Sequence, residues 1–599
     1  MLKKIISVTF IAILLMACKH KSSDSFQYKV GILGAPSSPF VEWNDHNLEL
    51  MKKLGFNTMQ LNIAWGYRPA DNALNLEDVL VVPNEFRLPV DNDSTLNKNN
   101  GGLNTYLHSS ARIAKRAAEL KHRIAICKKH EMRTLFHFGA PYVAYPPIEP
   151  LSQCISDEKT IRRYEKLIEL FAAQFKGVDD LLLYTYDQNA WLCSEYGPCE
   201  KCFGKPLNER VPVFVNAIAR KWHQLNPNGR LWWEPWEISA GQTYKIINKL
   251  DSTCIGLAVH SNIAEVQIAF PADRWYKNVV NIANRRSIPV LVEVWLGTAT
   301  EEIEPYIYLP SPLATLRALK ALNNVGKIAG IKEYYGNIPD REDPNLRMSS
   351  IFFKNPTISE EEALKKLSQP YGYSKKVQQY WRLSSEAIEM YPWDISWFAR
   401  EVGRSDPHHS LTEATLKGAS WETPSWQSNR RAAFMRTVET DYPHFWMLED
   451  AQLRFDCTAQ KAEDALNAGI AARNDIPKRM MKEFDSSLEE LRGFKQRCLA
   501  YTFHIRESNI CKMLRSSIKS GKKPNPVLVV ELKELLKKDL KNQGENNCLQ
   551  QAINLLDKNI YQFLQVYFVK PPKKTNTLDM YFNDSIPANV KTVWTITSK

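Results

Sequence analysis

The chain has 599 residues, 44% of them hydrophobic and 11% aromatic, which is enough to bury a large core and too long for one compact domain; two or three are expected. The net charge of +12 is a mild excess over such a length. Its densest part, residues 512–541, carries many lysines with few aromatics between them, which fits a solvated helix face better than a nucleic-acid surface.

The N-terminus has the marks of a targeting segment. Met1-Leu2-Lys3-Lys4 is basic, and Ile5 to Leu15 is apolar but short for a membrane span. Leu15-Met16-Ala17-Cys18 resembles a bacterial lipobox. That resemblance implies a signal peptide over residues 1–17 and lipid on Cys18, each buried methylene adding roughly 0.8 kcal/mol of membrane affinity. The competing reading is an ordinary secretory signal followed by a chance cysteine. Residues 18–27 are polar and read as a tether, and no later stretch is a long apolar run. The expected product is a membrane-anchored lipoprotein of a bacterial outer membrane or periplasm.

From residue 28 to 340 eight short apolar runs alternate with amphipathic stretches. The runs are Lys29–Pro36, Asn57–Gly66, Arg133–Pro141, Asp180–Asp187, Arg230–Glu237, Ile255–Asn262, Pro289–Gly297 and Ile328–Gly336. Strands buried on both faces read as continuous apolar runs, and strand–helix alternation implies parallel pairing. The spacing therefore predicts an α/β fold, a (β/α)8 TIM barrel, with helices over Asn47–Leu54, Leu107–His130, Asp157–Phe175, Asn208–Leu225, Ala272–Arg286 and Ser311–Asn323. Between Tyr67 and Asn104 lies a polar, aperiodic insertion after the second strand, expected to form one wall of a substrate groove.

After Gly336 the strand signals nearly vanish. Helical patterns cover Ser374–Met390, Asn429–Thr440, Thr458–Ala472, Pro477–Cys511, Val527–Leu540 and Asn546–Phe568. Residues 341–570 read as an α-helical C-terminal domain, and residues 571–599 as a tail with a short strand at Lys591–Thr597. Tyr391–Trp426, rich in Trp, Pro and His, interrupts the helical pattern and is long enough to reach over a barrel mouth.

Active sites of such barrels lie at the carboxyl ends of the strands. Those ends carry Asp187, Glu234, Glu237, Glu293 and Glu333, with His137 and His260, and Trp65, Trp191, Trp236, Trp295 and Tyr335 around them. Cleavage of a glycosidic bond needs one carboxylic acid to protonate the leaving oxygen and a second group to meet the positively charging carbon. Glu293 stands inside an apolar strand, where a lone charge is too costly to bury. It either points into the mouth or pairs with a cation such as Lys332. Asp187 and Glu293 are the leading catalytic candidates, with Glu234 or Glu237 assisting. Glu333, next to Lys332, reads as an ion pair. The two histidines and the aromatics are candidates for binding sugar hydroxyls and ring faces, or are simply core. No cofactor is indicated.

Eleven cysteines suit an exported protein. Cys193, Cys199 and Cys202 cluster in the loop after the fourth strand. They read as a disulfide that stiffens the loop, or as a zinc site if Cys154 comes within reach as a fourth ligand.

The stretch from Asp187 to Cys202, DQNAWLCSEYGPCEKC, resembles hexosaminidase-like and α-glucuronidase-like glycoside hydrolase barrels, among them lipoproteins of polysaccharide-degrading bacteria, many with a helical domain after the barrel. The resemblance extends over Val30 to Gly336. It implies a carbohydrate substrate and hydrolysis of O-glycosyl bonds. In the hexosaminidase family an Asp-Glu pair ends the fourth strand, the Glu being the acid. Here Asp187 is followed by Gln188, a departure that moves the acid to Glu234, Glu237 or Glu293. The same departure motivates a second reading, a non-catalytic glycan-binding lipoprotein with a degenerate barrel. A metal-dependent hydrolase is disfavoured because the first strand holds no His, and serine chemistry because no G-x-S-x-G elbow is found.

Overall fold

The computed structural model describes residues 26–34, 40–62, 73–88, 109–143, 150–185, 190–236, 238, 240–261, 271–297, 306, 308–334, 336–392 and 445–568. Eight parallel strands close a barrel in sequence order: β1 Tyr28–Ile32, β2 Thr58–Gln60, β3 Arg133–Gly139, β4 Asp180–Tyr184, β5 Leu231–Glu234, β6 Ile255–His260, β7 Val290–Val294 and β8 Gly330–Glu333. Every one is buried on both faces apart from single residues at the amino ends of β1 and β3, which is why the sequence reads as solid apolar runs. β8 returns to β1 through the pairs Tyr28 with Gly330 and Val30 with Lys332. The Asn337 side chain tightens this closure by accepting from the Ile32 amide at 3.2 Å.

Side chains of a strand alternate between its faces, and two packed layers result. Tyr28, Val30, Leu135, Leu182, Trp232, Ala258 and Leu291 fill the barrel interior as a cluster of their own. The Trp232 ring takes the space that a side chain on Gly256 would need. Outside, helices α1 Asp45–Leu54, α2 Ser110–Lys129, α3 Glu158–Gln174, α4 Leu207–Leu225, α5 Ala240–Ile247, α6 Arg274–Arg285 and α7 Pro312–Asn323 cover the sheet. Several are capped as the sequence suggests: Asp157 accepts from Lys159 N and Asp273 from Tyr276 N.

The insertion after β2 differs from its expectation where it is described. Residues 73–88 are not the solvated polar stretch that the sequence suggests; Leu74, Leu76, Val79 and Leu80 are buried, with Asn75, Glu77 and Asp78 buried among them. Glu77 accepts from Arg163 and Tyr164 of α3, both at 3.0 Å, and Asn75 Oδ1 accepts from Gly139 N at 2.9 Å. The polar residues that suggested solvent are partners of one another inside the fold. Residues 67–72 and 89–104 lie outside the described residues.

Beyond β8 the described residues are helical: α8 Pro344–Lys354, α9 Glu360–Leu367, α10 Lys375–Met390, α11 Phe445–Ala472, α12 Met481–Lys519, α13 Pro526–Gln543, α14 Asn547–Lys558 and α15 Ile560–Val566. The single helix expected over 546–568 is two, because Asn559 takes an extended backbone, ends α14 and caps α15 through Gln562 N. Trp381, Phe455, Leu488 and Phe494 belong to the same core as the barrel's outer layer, whereas Leu514, Leu532, Leu536, Leu549 and Phe563 build a second one. α12 grips loops on the carboxyl-end face of the barrel. Glu490 accepts from Tyr308 N at 2.8 Å and pairs with Arg341 at 3.3 Å, and Gly493 leaves room for the Tyr306 ring. The stretch expected as a helix over Asn429–Thr440, all of Tyr391–Trp426 past residue 392, and the C-terminal tail from residue 569 fall outside the described residues.

Candidate active site

Two positions beyond each apolar interior residue, the same inner face turns polar. After Leu135, Leu182, Trp232, Ala258, Leu291 and Gly330 come His137, Tyr184, Glu234, His260, Glu293 and Lys332. Alternation puts each of these in the barrel, one layer nearer the carboxyl ends. Register sets their neighbours: Tyr184 opposes Glu234, His260 opposes Glu293, and Glu293 opposes Lys332.

The result is a continuous chain of ionisable groups. His137 Nε2 lies 3.2 Å from Glu234 Oε2. The other oxygen of Glu234 lies 3.2 Å from His260 Nε2. That same nitrogen is 3.0 Å from Glu293 Oε2, and Glu293 Oε1 is 3.0 Å from Lys332 Nζ. All five residues are buried, none more than 5% exposed. Asn62 fixes the start of the chain, accepting from His137 N at 2.9 Å and donating to His137 O at 2.6 Å.

Burial and pairing work against each other here, and the balance differs from group to group. Burial opposes the charge on Glu234, yet the two imidazoles bonded to it prevail and hold its carboxyl well below the usual range. For His260 burial also opposes the charge, but Glu234 and Glu293 together raise it. Burial wins at His137, whose value is lowered despite Glu234. The arrangement is therefore a Glu234 held toward its ionised form between one imidazole made less basic and one made more basic.

Glu333 does not form the ion pair with Lys332 that adjacency suggested. Neighbouring strand residues face opposite sides, so Lys332 points inward to Glu293. Glu333 points outward, accepting from Leu296 N at 3.1 Å, Gly336 N at 3.2 Å and Asn337 Nδ2 at 2.8 Å. Burial pushes its carboxyl up to about 7.

Aromatic rings lie at the edge of the polar layer. Half-buried Trp236 packs on His260 with ring centres 4.0 Å apart. Tyr334 meets His260 at 4.5 Å and Trp295 at 4.7 Å. Trp295 is buried with Tyr308 in a small cluster of its own, a packing role rather than a platform. Trp191 sits against the cysteine loop. Asp187, Glu237, Trp65, Tyr335 and Cys18 lie outside the described residues. Sequence reasoning gave Lys332 only a counter-ion's part and passed over Tyr184, Tyr334 and Asn62; counting in twos along each strand would have found the first two.

Glu234, His260 and Glu293 offer ligand atoms within 4.8 Å of one another. Lys332 already neutralises Glu293, and the His260 nitrogen stands between the two carboxylates, a geometry that suits a shared proton better than a divalent ion. Chemically, the layer can hold a carboxylate ionised in a dry site and supply a proton beside it.

No protein-family model matches this sequence, and no curated protein matches it. Solved structures do share its shape. The chain is similar to a GH138 enzyme targeting pectin rhamnogalacturonan II, with a TM-score of 0.54 and 11% identity over 91% of this chain and 63% of that one. This chain thus spans somewhat less than two thirds of that enzyme's length. It is also similar to a mutant O-GlcNAc hydrolase from Thermobaculum terrenum (TM-score 0.37, 11% identity, 87% of this chain and 97% of that one). A third likeness is to CpGH84B (TM-score 0.41, 10% identity, 90% and 77%). At these identities the likeness is one of fold. The chain is a closed (β/α)8 barrel with a helical C-terminal region, distantly similar in structure to glycoside hydrolase barrels.

Proposed function

We propose that this protein is a glycoside hydrolase acting on a poly- or oligosaccharide. The observation that carries the reading is Glu234, a buried carboxylate kept ionised between His137 and His260 at the carboxyl end of a barrel strand. Such a group stabilises or attacks the positive carbon that develops when a glycosidic bond breaks. Asp187, three residues beyond the end of β4, is proposed as the second carboxylate of the pair. Glu293 assists by making His260 more basic, and Trp236 with Tyr334 offers a ring face to the sugar. Glu237 is proposed to support the same site from the end of β5.

The test is release of sugars from a panel of polysaccharides that includes rhamnogalacturonan II, with the wild-type chain beside Glu234→Gln and Asp187→Asn. Hydrolysis that collapses in both variants supports the reading. Glycan binding without hydrolysis by the wild type replaces it with the non-catalytic lipoprotein. Lipid attachment at Cys18 is proposed on the lipobox resemblance, and incorporation of labelled fatty acid that disappears in Cys18→Ala tests it.

A further inference from the structure

We propose that Cys154, Cys193, Cys199 and Cys202 form a structural zinc site that clamps two loops on the carboxyl-end face of the barrel. Cys154 belongs to the connection between β3 and α3, and the other three to the connection between β4 and α4. Thirty-eight residues separate Cys154 from Cys193, so their meeting is a product of the fold and not of local sequence.

Three observations favour a metal over the disulfide that the sequence first suggested. The four sulfurs all lie within 4.8 Å of one another, with Cys154 Sγ 3.1 Å from Cys202 Sγ and 3.7 Å from Cys199 Sγ. Four thiolates at about 2.3 Å from a tetrahedral zinc are separated by roughly 3.8 Å along each edge. Disulfides need sulfurs gathered only in pairs, at about 2.05 Å; here each one has three neighbours. The second observation is the turn around Cys199-Glu200-Lys201-Cys202. Cys202 N donates to Cys199 O at 3.0 Å and Phe203 N to the same oxygen at 2.9 Å, and Gly204 follows with a positive φ of 71°. This tight C-x2-C turn points both sulfurs to one side, as a metal knuckle must. The third is the surrounding shell. The Ser156 hydroxyl lies 3.4 Å from Cys202 Sγ, a polar partner of the kind that supports metal ligands. The Arg210 guanidinium donates to Cys193 O at 2.9 Å and Lys205 O at 2.7 Å, which brings a cation beside a centre of net charge −2.

All four cysteines are buried, none above 8% exposed, and the site has no open ligand position, which marks it as structural. Binding is not a redox step: Zn2+ displaces one proton from each of four thiols, four Zn–S bonds form, and the protons leave to solvent. The clamp reinforces the bridge between Tyr142 and Ala190 across the same two loops, and it backs Trp191.

The experiment uses the full chain, purified without chelator or reductant. Metal content is measured, and the thiols are alkylated after denaturation, before and after chelation, with the modified peptides identified by mass. We expect about one zinc per chain, free thiols at all four positions once the metal is removed, and loss of the zinc in Cys202→Ser and in Cys154→Ser. If those variants do not fold, metal content and alkylation of the wild type still decide. Cross-linked peptides joining any of the four cysteines, or free thiols with no metal, overturn the proposal; iron in place of zinc overturns the choice of ion.

Discussion

Glu293 and Lys332 face each other across β7 and β8, and the register brings their charged ends to 3.0 Å inside the barrel. Neither can be removed alone without leaving a charge behind. Breaking a buried pair from one side costs about 3–5 kcal/mol, whereas replacing both partners is often close to neutral. Lys332→Met should therefore destabilise the chain by roughly 3 kcal/mol, at the lower end because His260 still neutralises Glu293. The double variant Glu293→Gln with Lys332→Met should recover much of that loss. Urea midpoints of the two singles and the double measure it; additive losses would mean the two charges do not see each other.

Glu234 is the carboxylate on which the proposed chemistry turns. Glu234→Gln keeps its size but removes the charge that both imidazoles hold, and loss of a positioned catalytic group typically lowers the rate about 10²–10⁴-fold. Glu293→Gln should cost less, since it acts through His260. The two are told apart by kcat against pH. Both substitutions make His260 less basic, so a pH shift is expected in each; only Glu234→Gln should also lower the plateau by the full catalytic loss.

Stability should fall on both sides of neutrality, for different reasons. Glu234 is held low in the fold, so its contribution is present above the ordinary carboxylate range of about 4.3 and is lost as pH falls through its folded value. Glu333 is raised, by burial, to about 7. Its contribution is full below about 4.3 and is lost as pH rises through about 7. His260 is raised as well and weakens the fold in the same alkaline direction. Wild type should thus lose stability between about pH 5 and 8 relative to Glu333→Gln. Equilibrium unfolding of both proteins at the two ends of that range checks the sign: wild-type stability that rises with pH relative to Glu333→Gln contradicts it.

The barrel was legible because its physics is written in short range. A strand covered on both faces needs apolar residues at every position, and a helix outside it needs one stripe; these patterns alternate plainly from Tyr28 to Glu333. Glu293 and Glu234 stood out for the converse reason, as charges inside such runs. What could not be read was who pairs with whom. Assigning Glu333 to Lys332 assumed that neighbours in sequence meet, but the strand turns them to opposite faces, and Lys332 finds Glu293 on the next strand instead. The insertion after β2 misled in another way. Asn75, Glu77 and Asp78 look like solvent-facing residues until Arg163 and Tyr164, far along the chain, arrive to bond Glu77. The cysteine cluster joins the same class, for its fourth member lies on a different loop.

α12 offers a way to ask whether the helical region matters to the site. Gly493 packs against Tyr306, and any side chain there would meet the ring. Crowding of this kind costs about 1–3 kcal/mol. Gly493→Val should lower the melting temperature and, by pushing the loop at 306–308, alter KM for a glycan substrate. A shift in melting temperature with unchanged kinetics would assign α12 a stabilising role alone.

Trp236 separates a sugar platform from a core residue. Its ring lies over His260, with centres 4.0 Å apart and planes tilted by 34°, and one part of it remains accessible. A side chain that only packs loses stability on truncation and leaves KM alone. One that stacks on a sugar contributes binding shared by ground and transition states, so truncation raises KM with little change in kcat. Loss of about 1.4 kcal/mol of contact corresponds to roughly tenfold in affinity. Trp236→Ala should therefore raise KM about tenfold, and Trp236→Phe should restore most of it by returning an aromatic face. Equal KM values in all three proteins would assign Trp236 to the packing of His260 and leave Tyr334 as the ring to examine.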